Sequence, residues 1–229
     1  MTSILKADTI QDAAGNNIIN ENANTITIGA SGDTVNIPSG ATFNVNGTAG
    51  TGVGGSLVKL LSTTISSGVA AVAFDNNYIT STYDNYKLIC YGLSTASDNQ
   101  DIGLRMSVDN GGNFATHVGC WNYTQINTAT DNTTGSDGNV DYVPFGSDEE
   151  ADASGGTNVD ITIWNVNSTT QYKFVNGLVT TVNQSGPNYY AYRVAGYIAS
   201  NTAVNYLKVF TSVGGNLDGG TCTLYGFQK

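Results

Sequence analysis

Val159-Asp160-Ile161-Thr162-Ile163-Trp164 sets apolar against polar at every second position, and Tyr206-Leu207-Lys208-Val209-Phe210 repeats the pattern. Successive side chains of an extended strand point to opposite faces, so a period of two marks a strand with one buried face. Working outward from these two stretches, strands are expected at 57–65, 69–74, 86–93, 102–108, 114–123, 140–144, 158–165, 171–182, 189–199, 204–211 and 221–227. Turn-forming runs separate them, among them Asp109-Asn110-Gly111-Gly112-Asn113 and Gly214-Gly215-Asn216-Leu217-Asp218-Gly219-Gly220. No amphipathic helix of useful length interrupts the series, and short helical turns are expected at most near 78–84. Many short strands with Gly/Asn/Asp turns make an all-β chain, whose residues 57–229 form a two-sheet antiparallel β-sandwich.

Composition agrees. Of 229 residues only 11% are charged, and the polarity comes from Asn, Thr, Ser and Gly, which serve turns and strands better than helices. Thirteen Tyr and many Val, Ile and Thr push the same way. A net charge of −10 with eight basic residues repels phosphate backbones and anionic lipid, so nucleic-acid binding is not expected, and no stretch approaches the length of a membrane span, so membrane insertion is not expected either. The first residues, Met1-Thr2-Ser3-Ile4-Leu5-Lys6-Ala7-Asp8, contain no apolar run of signal-peptide length. Synthesis in the cytoplasm is the corresponding expectation. Three widely spaced cysteines do not make a disulfide framework, and Cys90 and Cys222, each in an apolar strand pattern, read as buried free thiols.

Residues 1–45 read differently. Thr25-Ile26-Thr27-Ile28, Thr34-Val35-Asn36-Ile37 and Thr42-Phe43-Asn44-Val45 are very short alternations, spaced nine and then eight residues apart. Each buries two side chains at most, which cannot offset the cost of ordering the backbone and leaves exposed edges. Pairing with the same segment of other chains answers both problems, so an intertwined homotrimer is expected. Ile4, Leu5, Ile10, Ile18 and Ile19 are the candidate attachment residues of this arm. The uncharged, glycine-rich run 46–56 follows as a flexible linker.

Two stretches resemble proteins of tailed bacteriophages. Gly15-Asn16-Asn17-Ile18-Ile19-Asn20-Glu21 and Thr25-Ile26-Thr27-Ile28-Gly29-Ala30-Ser31-Gly32-Asp33-Thr34 are similar to the N-terminal segment of virion-associated proteins from marine tailed phages. Tyr83-Asp84-Asn85-Tyr86-Lys87-Leu88, Leu104-Arg105-Met106-Ser107-Val108-Asp109-Asn110-Gly111-Gly112, Thr169-Thr170-Gln171-Tyr172-Lys173 and Thr221-Cys222-Thr223-Leu224-Tyr225-Gly226-Phe227 resemble the C-terminal jelly-roll heads of phage tail fibres. The resemblance implies a virion surface protein, usually trimeric, that attaches the particle to a host or decorates it. Only the glycine linker stands where many fibres carry a long shaft. A short trimeric tail fibre that recognises a host glycan or surface protein is the first expectation. A capsid decoration or cement protein is its rival, and a polysaccharide-degrading spike ranks third.

Residues able to do chemistry are sparse. His117 is the single histidine, and it precedes Cys120 by three positions, which on a strand point to opposite faces. Structural zinc needs four ligands, and no second pair accompanies them. Asp148-Glu149-Glu150-Ala151-Asp152 is acidic, but adjacent loop carboxylates are not the opposed pair of a glycosidase. Solvation explains that loop, with calcium binding there or at Asp131–Asp137 as the alternative. Gly-rich runs at 50–55 and 214–220 lack the Lys-Ser/Thr ending of a phosphate loop. No catalytic residue, cofactor or metal site is expected. Aromatic residues remain: Trp121, Tyr123, Tyr189, Tyr190 and Tyr192 are the candidate surface ligand contacts, since such rings stack on sugars while neighbouring amides take hydroxyls. Alternation buries every second residue of a strand, so packing between sheets is the other reading of each tyrosine. Trp164, flanked by Ile161 and Ile163 and followed by Val166, has no face assigned.

Overall fold

Most of the strands expected in 57–229 are present. Those at 114–123 and 140–144 appear as strand among the described residues only at His117–Val118 and Val143–Pro144, and no helix occurs among the described residues. The computed structural model describes residues 9–11, 13, 17–22, 25–29, 32–38, 56–114, 117–118, 142–145, 156–183, 188–212 and 214–229. Two compact units divide the chain, Met1–Ala49 and Gly50–Lys229.

In the first unit β1 (Thr9–Gln11), β2 (Asn17–Asn22) and β3 (Thr25–Ile28) make an antiparallel sheet in chain order. The register sets Ile10 opposite Ile19 and Ile19 opposite Ile28. This row stays exposed, at 38%, 37% and 57%, and Ile26 reaches 67%. The strand expected at Thr34–Ile37 is absent: the segment has no ladder partner among the described residues, and Val35 and Ile37 lie exposed. Pro38 follows it without an N–H to extend a ladder. Ile4, Leu5 and the expected strand at 42–45 lie outside the described residues, as does the side chain of Ile18 in β2.

The second unit is a β-sandwich. Its larger sheet runs in the order β4 (Leu57–Ile65), β14 (Leu217–Phe227), β6 (Tyr86–Thr95), β10 (Thr157–Trp164), β11 (Lys173–Asn183), β12 (Asn188–Ile198) and β8 (His117–Val118). The smaller runs β5 (Ala71–Phe74), β13 (Tyr206–Thr211), β7 (Ile102–Ser107) and β9 (Val143–Pro144). All pairings are antiparallel. The chain crosses between sheets at nearly every connection, and only β10, β11 and β12 follow one another as neighbours. A single helical turn closes over 75–79, at the start of the expected 78–84 stretch, with the N–H of Ile79 donating to Asp75 O at 2.9 Å.

Inward phases of both sheets meet in one core that includes Phe74, Leu88, Leu104, Met106, Ile161, Ile163, Leu207 and Leu224. Tyr86 is fully buried, and its hydroxyl donates to Thr80 O and accepts from Thr80 N, both at 2.8 Å, which satisfies the one polar atom the ring brings inside. Lys173 is also fully buried. Its ammonium donates to Ser168 O at 2.5 Å, Ser200 O at 3.0 Å and Gln171 O at 3.2 Å, joining the loop before β11 to the end of β12. Burial pushes its pKa down. At the 109–113 turn the Asp109 carboxylate accepts from Ser107 Oγ at 2.6 Å, Asn113 N at 2.7 Å and Asn113 Nδ2 at 2.6 Å, which holds its pKa down at about 2.

β14 begins four residues earlier than the glycine-rich turn suggests. Residues 217–220 stay in the ladder through two register shifts against β6, between Leu217 and Gly219 and between Gly219 and Thr221. Bulges of this kind call for glycine. Gly220 has φ +101°, and a Cβ there would stand 2.6 Å from Gly92 O. Gly92 and Gly156 also have positive φ, and a Cβ on Gly156 would reach Gly92 Cα at 3.0 Å. Three glycines thus let the backbones of β14 and β6, and the entry to β10, close on one another.

Further along the same two strands Cys90 stands opposite Cys222, both free and buried. Burial, with the neighbouring Cys222 thiol adding to it, pushes the Cys90 thiol up. In a Cys120→Ser variant, which leaves only this pair, both thiols are expected to resist an alkylating reagent at neutral pH. They should react at the rate at which the sheet opens, because the thiolate is the nucleophile. Intact-mass analysis over time reads this, and rapid labelling of both in native buffer would contradict it.

Candidate functional site

Two aromatic clusters sit on the outer faces of the sandwich, and their environments separate them. On the smaller sheet Lys208 pairs with Arg105 in the register of β13 and β7. Lys208 Nζ lies 4.2 Å from the Phe114 ring centre and Arg105 Cζ lies 4.3 Å from that of Phe210. Tyr142 meets Phe210 edge-on at 5.7 Å, and Phe210 is buried. Those ring faces are already occupied by cations and neighbouring rings.

On the larger sheet they are open. Trp164 of β10, Phe174 of β11 and Tyr197 of β12 fall in one row across three adjacent strands, since Trp164 pairs with Phe174 and Phe174 with Tyr197. Each occupies the outward phase of its strand: Ile163, Val175 and Ile198 beside them are buried. Phe227 of β14 stacks on Trp164 with ring centres 5.9 Å apart and planes 23° from parallel. At the other end Tyr172 stacks on Tyr197 at 6.2 Å and 15°. Trp164, Tyr172 and Phe174 remain 39%, 45% and 46% exposed, unusually open for rings of this size.

A groove of about 320 Å³ runs among these rings, at the small end of the ~300–1,000 Å³ typical of small-ligand sites. Trp164, Phe174 and Tyr197 form its walls, with Asn176, Ala195 and Gly196 also lining it. Ala195 lies two residues before Tyr197 on the same face, and its short side chain leaves the depression open. The indole N–H of Trp164 donates to Asn176 Oδ1 at 2.7 Å. That bond uses up the single donor of the indole and fixes its plane, so the ring offers its π-face. None of the lining residues carries a formal charge at neutral pH. Elsewhere on this sheet Lys87 and Asp160 neutralise each other at 2.6 Å.

The aromatic residues singled out from sequence divide as follows. Tyr192 is a correction: it is 4% exposed and belongs to the core, so it cannot touch a surface ligand. Tyr190 is half-buried against that core, stacked on Tyr192 at 5.8 Å and 11°. Both share the inward phase of β12 with Val194 and Ile198. Tyr189 lies in β12 with its side chain outside the described residues, as does that of His117 in β8. Trp121, Tyr123, Cys120 and the acidic segments 131–137 and 148–152 are outside them altogether. Among the described residues no three His, Cys, Asp or Glu side chains group as metal ligands, and no helix is long and apolar enough to cross a membrane. Tyr172, Phe174, Tyr197 and Phe227 were not singled out by sequence reasoning, and Trp164 was left without a face. The available signal was phase: Trp164 continues the outward series Asn158, Asp160 and Thr162. Compared with known proteins, the chain matches no family model, no curated protein and no solved structure.

Proposed function

We propose that this chain is a non-enzymatic surface protein of a tailed-phage particle, and that its β-sandwich holds the particle to a host-cell surface through the open aromatic face of the larger sheet. The observation that carries the reading is the row Trp164–Phe174–Tyr197, exposed on an uncharged groove with its indole held in place by Asn176. Aromatic rings left in water are unfavourable unless something covers them. In this reading the arm holds the protein on the particle as a homotrimer. The exposed row Ile10, Ile19 and Ile28 supports that role, because apolar side chains on a small sheet gain most by meeting the same row in another copy.

Particles carrying Trp164→Ala should assemble normally and bind host cells about tenfold more weakly, the loss expected when one stacking ring worth about 1.4 kcal/mol is removed. Counting free particles against time after mixing with host cells checks this. Normal adsorption would remove the proposal. A capsid-cementing role is the second reading, supported by the aliphatic Leu57 and Leu178, exposed at 38% and 59% on strands of the same sheet. In that case the same variant would leave adsorption intact, and the particles would lose DNA on mild heating.

A further inference from the structure

We infer that the ligand of the Trp164 groove is an uncharged sugar, one or two residues long at the point of contact. The inference rests on the recognition reading above and narrows it to a chemical class. Three observations point the same way. The walls are ring faces, Trp164, Phe174 and Tyr197, and the C–H-bearing face of a pyranose is the flat, weakly apolar partner such faces accept. The polar group on the groove is an amide: Asn176 takes the indole N–H on its Oδ1, and its –NH₂ supplies donors suited to a hydroxyl oxygen. Among the described residues no cation lines the groove to pair a carboxylate or sulfate, and no carboxylate lines it to hold an amine. A chain with net charge −10 also repels polyanions at a distance.

Other occupants fit less well. A peptide lying across the sheet would need partners for its backbone amides, and an open sheet face offers none, since the strands pair edge to edge. A lipid tail would need a deep cavity, whereas this one is shallow and about 320 Å³.

The sequence has two tryptophans, so the full-length Trp121→Phe chain carries Trp164 as its single indole reporter. Its emission is followed while neutral oligosaccharides (glucan- and mannan-derived) or oligogalacturonate are added, at low and at high salt. A neutral sugar is expected to shift the emission to the blue with an affinity unchanged by salt. Adding Phe174→Ala or Tyr197→Ala should weaken that affinity about tenfold. Preferential, salt-sensitive binding of oligogalacturonate would overturn the inference in favour of an acidic sugar. An emission that depends on protein concentration, and on no sugar, would overturn it in favour of contact between copies of the chain. Suppose no sugar moves Trp164 while Phe174→Ala particles still bind host cells weakly: the neutral-sugar assignment then fails and the recognition reading survives. If Phe174→Ala particles adsorb normally, the recognition reading itself fails.

Discussion

Gly220→Ala is expected to lower the stability of the β-sandwich by about 4 kcal/mol, the sum of a strained backbone and a backbone clash. Alanine at φ +101° leaves the conformations open to an L residue. The new methyl would stand 2.6 Å from Gly92 O and 2.7 Å from Gly92 C and Leu93 N, all main-chain atoms that no rotamer change can remove. Relief would require moving β14 away from β6, in the middle of the larger sheet. For a chain of this size the melting temperature should fall by roughly 10 °C. Gly214→Ala is the control. It has φ +81° but nothing within 4 Å of the added carbon, so strain acts alone and about 1 kcal/mol is expected. Thermal unfolding of the two variants side by side separates crowding from conformation. Equal losses would mean that the close approach to Gly92 contributes nothing.

Lys173→Met should cost about 2 kcal/mol and loosen the loop that precedes β11. Among the described residues the ammonium has no carboxylate partner, and three backbone carbonyls stabilise it. Methionine matches the stem but donates nothing, so Ser168 O, Gln171 O and Ser200 O must find water or stay unsatisfied. The loss is kept moderate because removing a buried charge also removes its desolvation cost. The pH dependence has a definite sign. Burial sets the folded pKa below the ordinary lysine value of 10.5, so in the window between the two the unfolded chain binds more protons than the folded one. Wild-type stability therefore gains from this group as pH rises through that window. Tyr86 and Tyr206 act oppositely, because burial raises their pKa values and the stability they contribute is lost as pH rises through them. Subtracting the Lys173→Met curve from the wild-type curve cancels the tyrosines, and the difference should increase with pH. A flat difference would mean that Lys173 titrates alike in both states.

The strands of the sandwich were legible because each carries its phase in its own residues, as Val159-Asp160-Ile161-Thr162-Ile163 does. Gly219-Gly220 was not legible as strand, since a pair of glycines spells a turn unless a second bulged strand lies beside it. Thr34–Ile37 alternates as well as any strand, yet alternation supplies a face and not a neighbour to bond with. The aromatic groove was hidden for a related reason. Tyr189, Tyr190 and Tyr192 were conspicuous by crowding, and the sheet turned two of them toward the core. Trp164, Phe174 and Tyr197 are scattered in the sequence and become a row only through the pairing of β10, β11 and β12. Phe227 joins them because strand order leaves only β6 between β14 and β10.

Strand β14, paired on both sides, also bears on how the chain is made. Thr64 and Thr221 share a hydrogen bond across 157 residues, and Ser62 and Thr223 do so across 161. A ribosome that has delivered residues 57–216 has produced β4 and β6 but not the strand that joins them. Until residues 217–227 emerge, both carry unpaired edges, and pairings this distant form slowly. A message cut short within this segment yields sticky intermediates for chaperones and proteases, not a slightly weakened protein. Only chains that include residues 217–227 can close the larger sheet, so incomplete copies are screened out by folding itself.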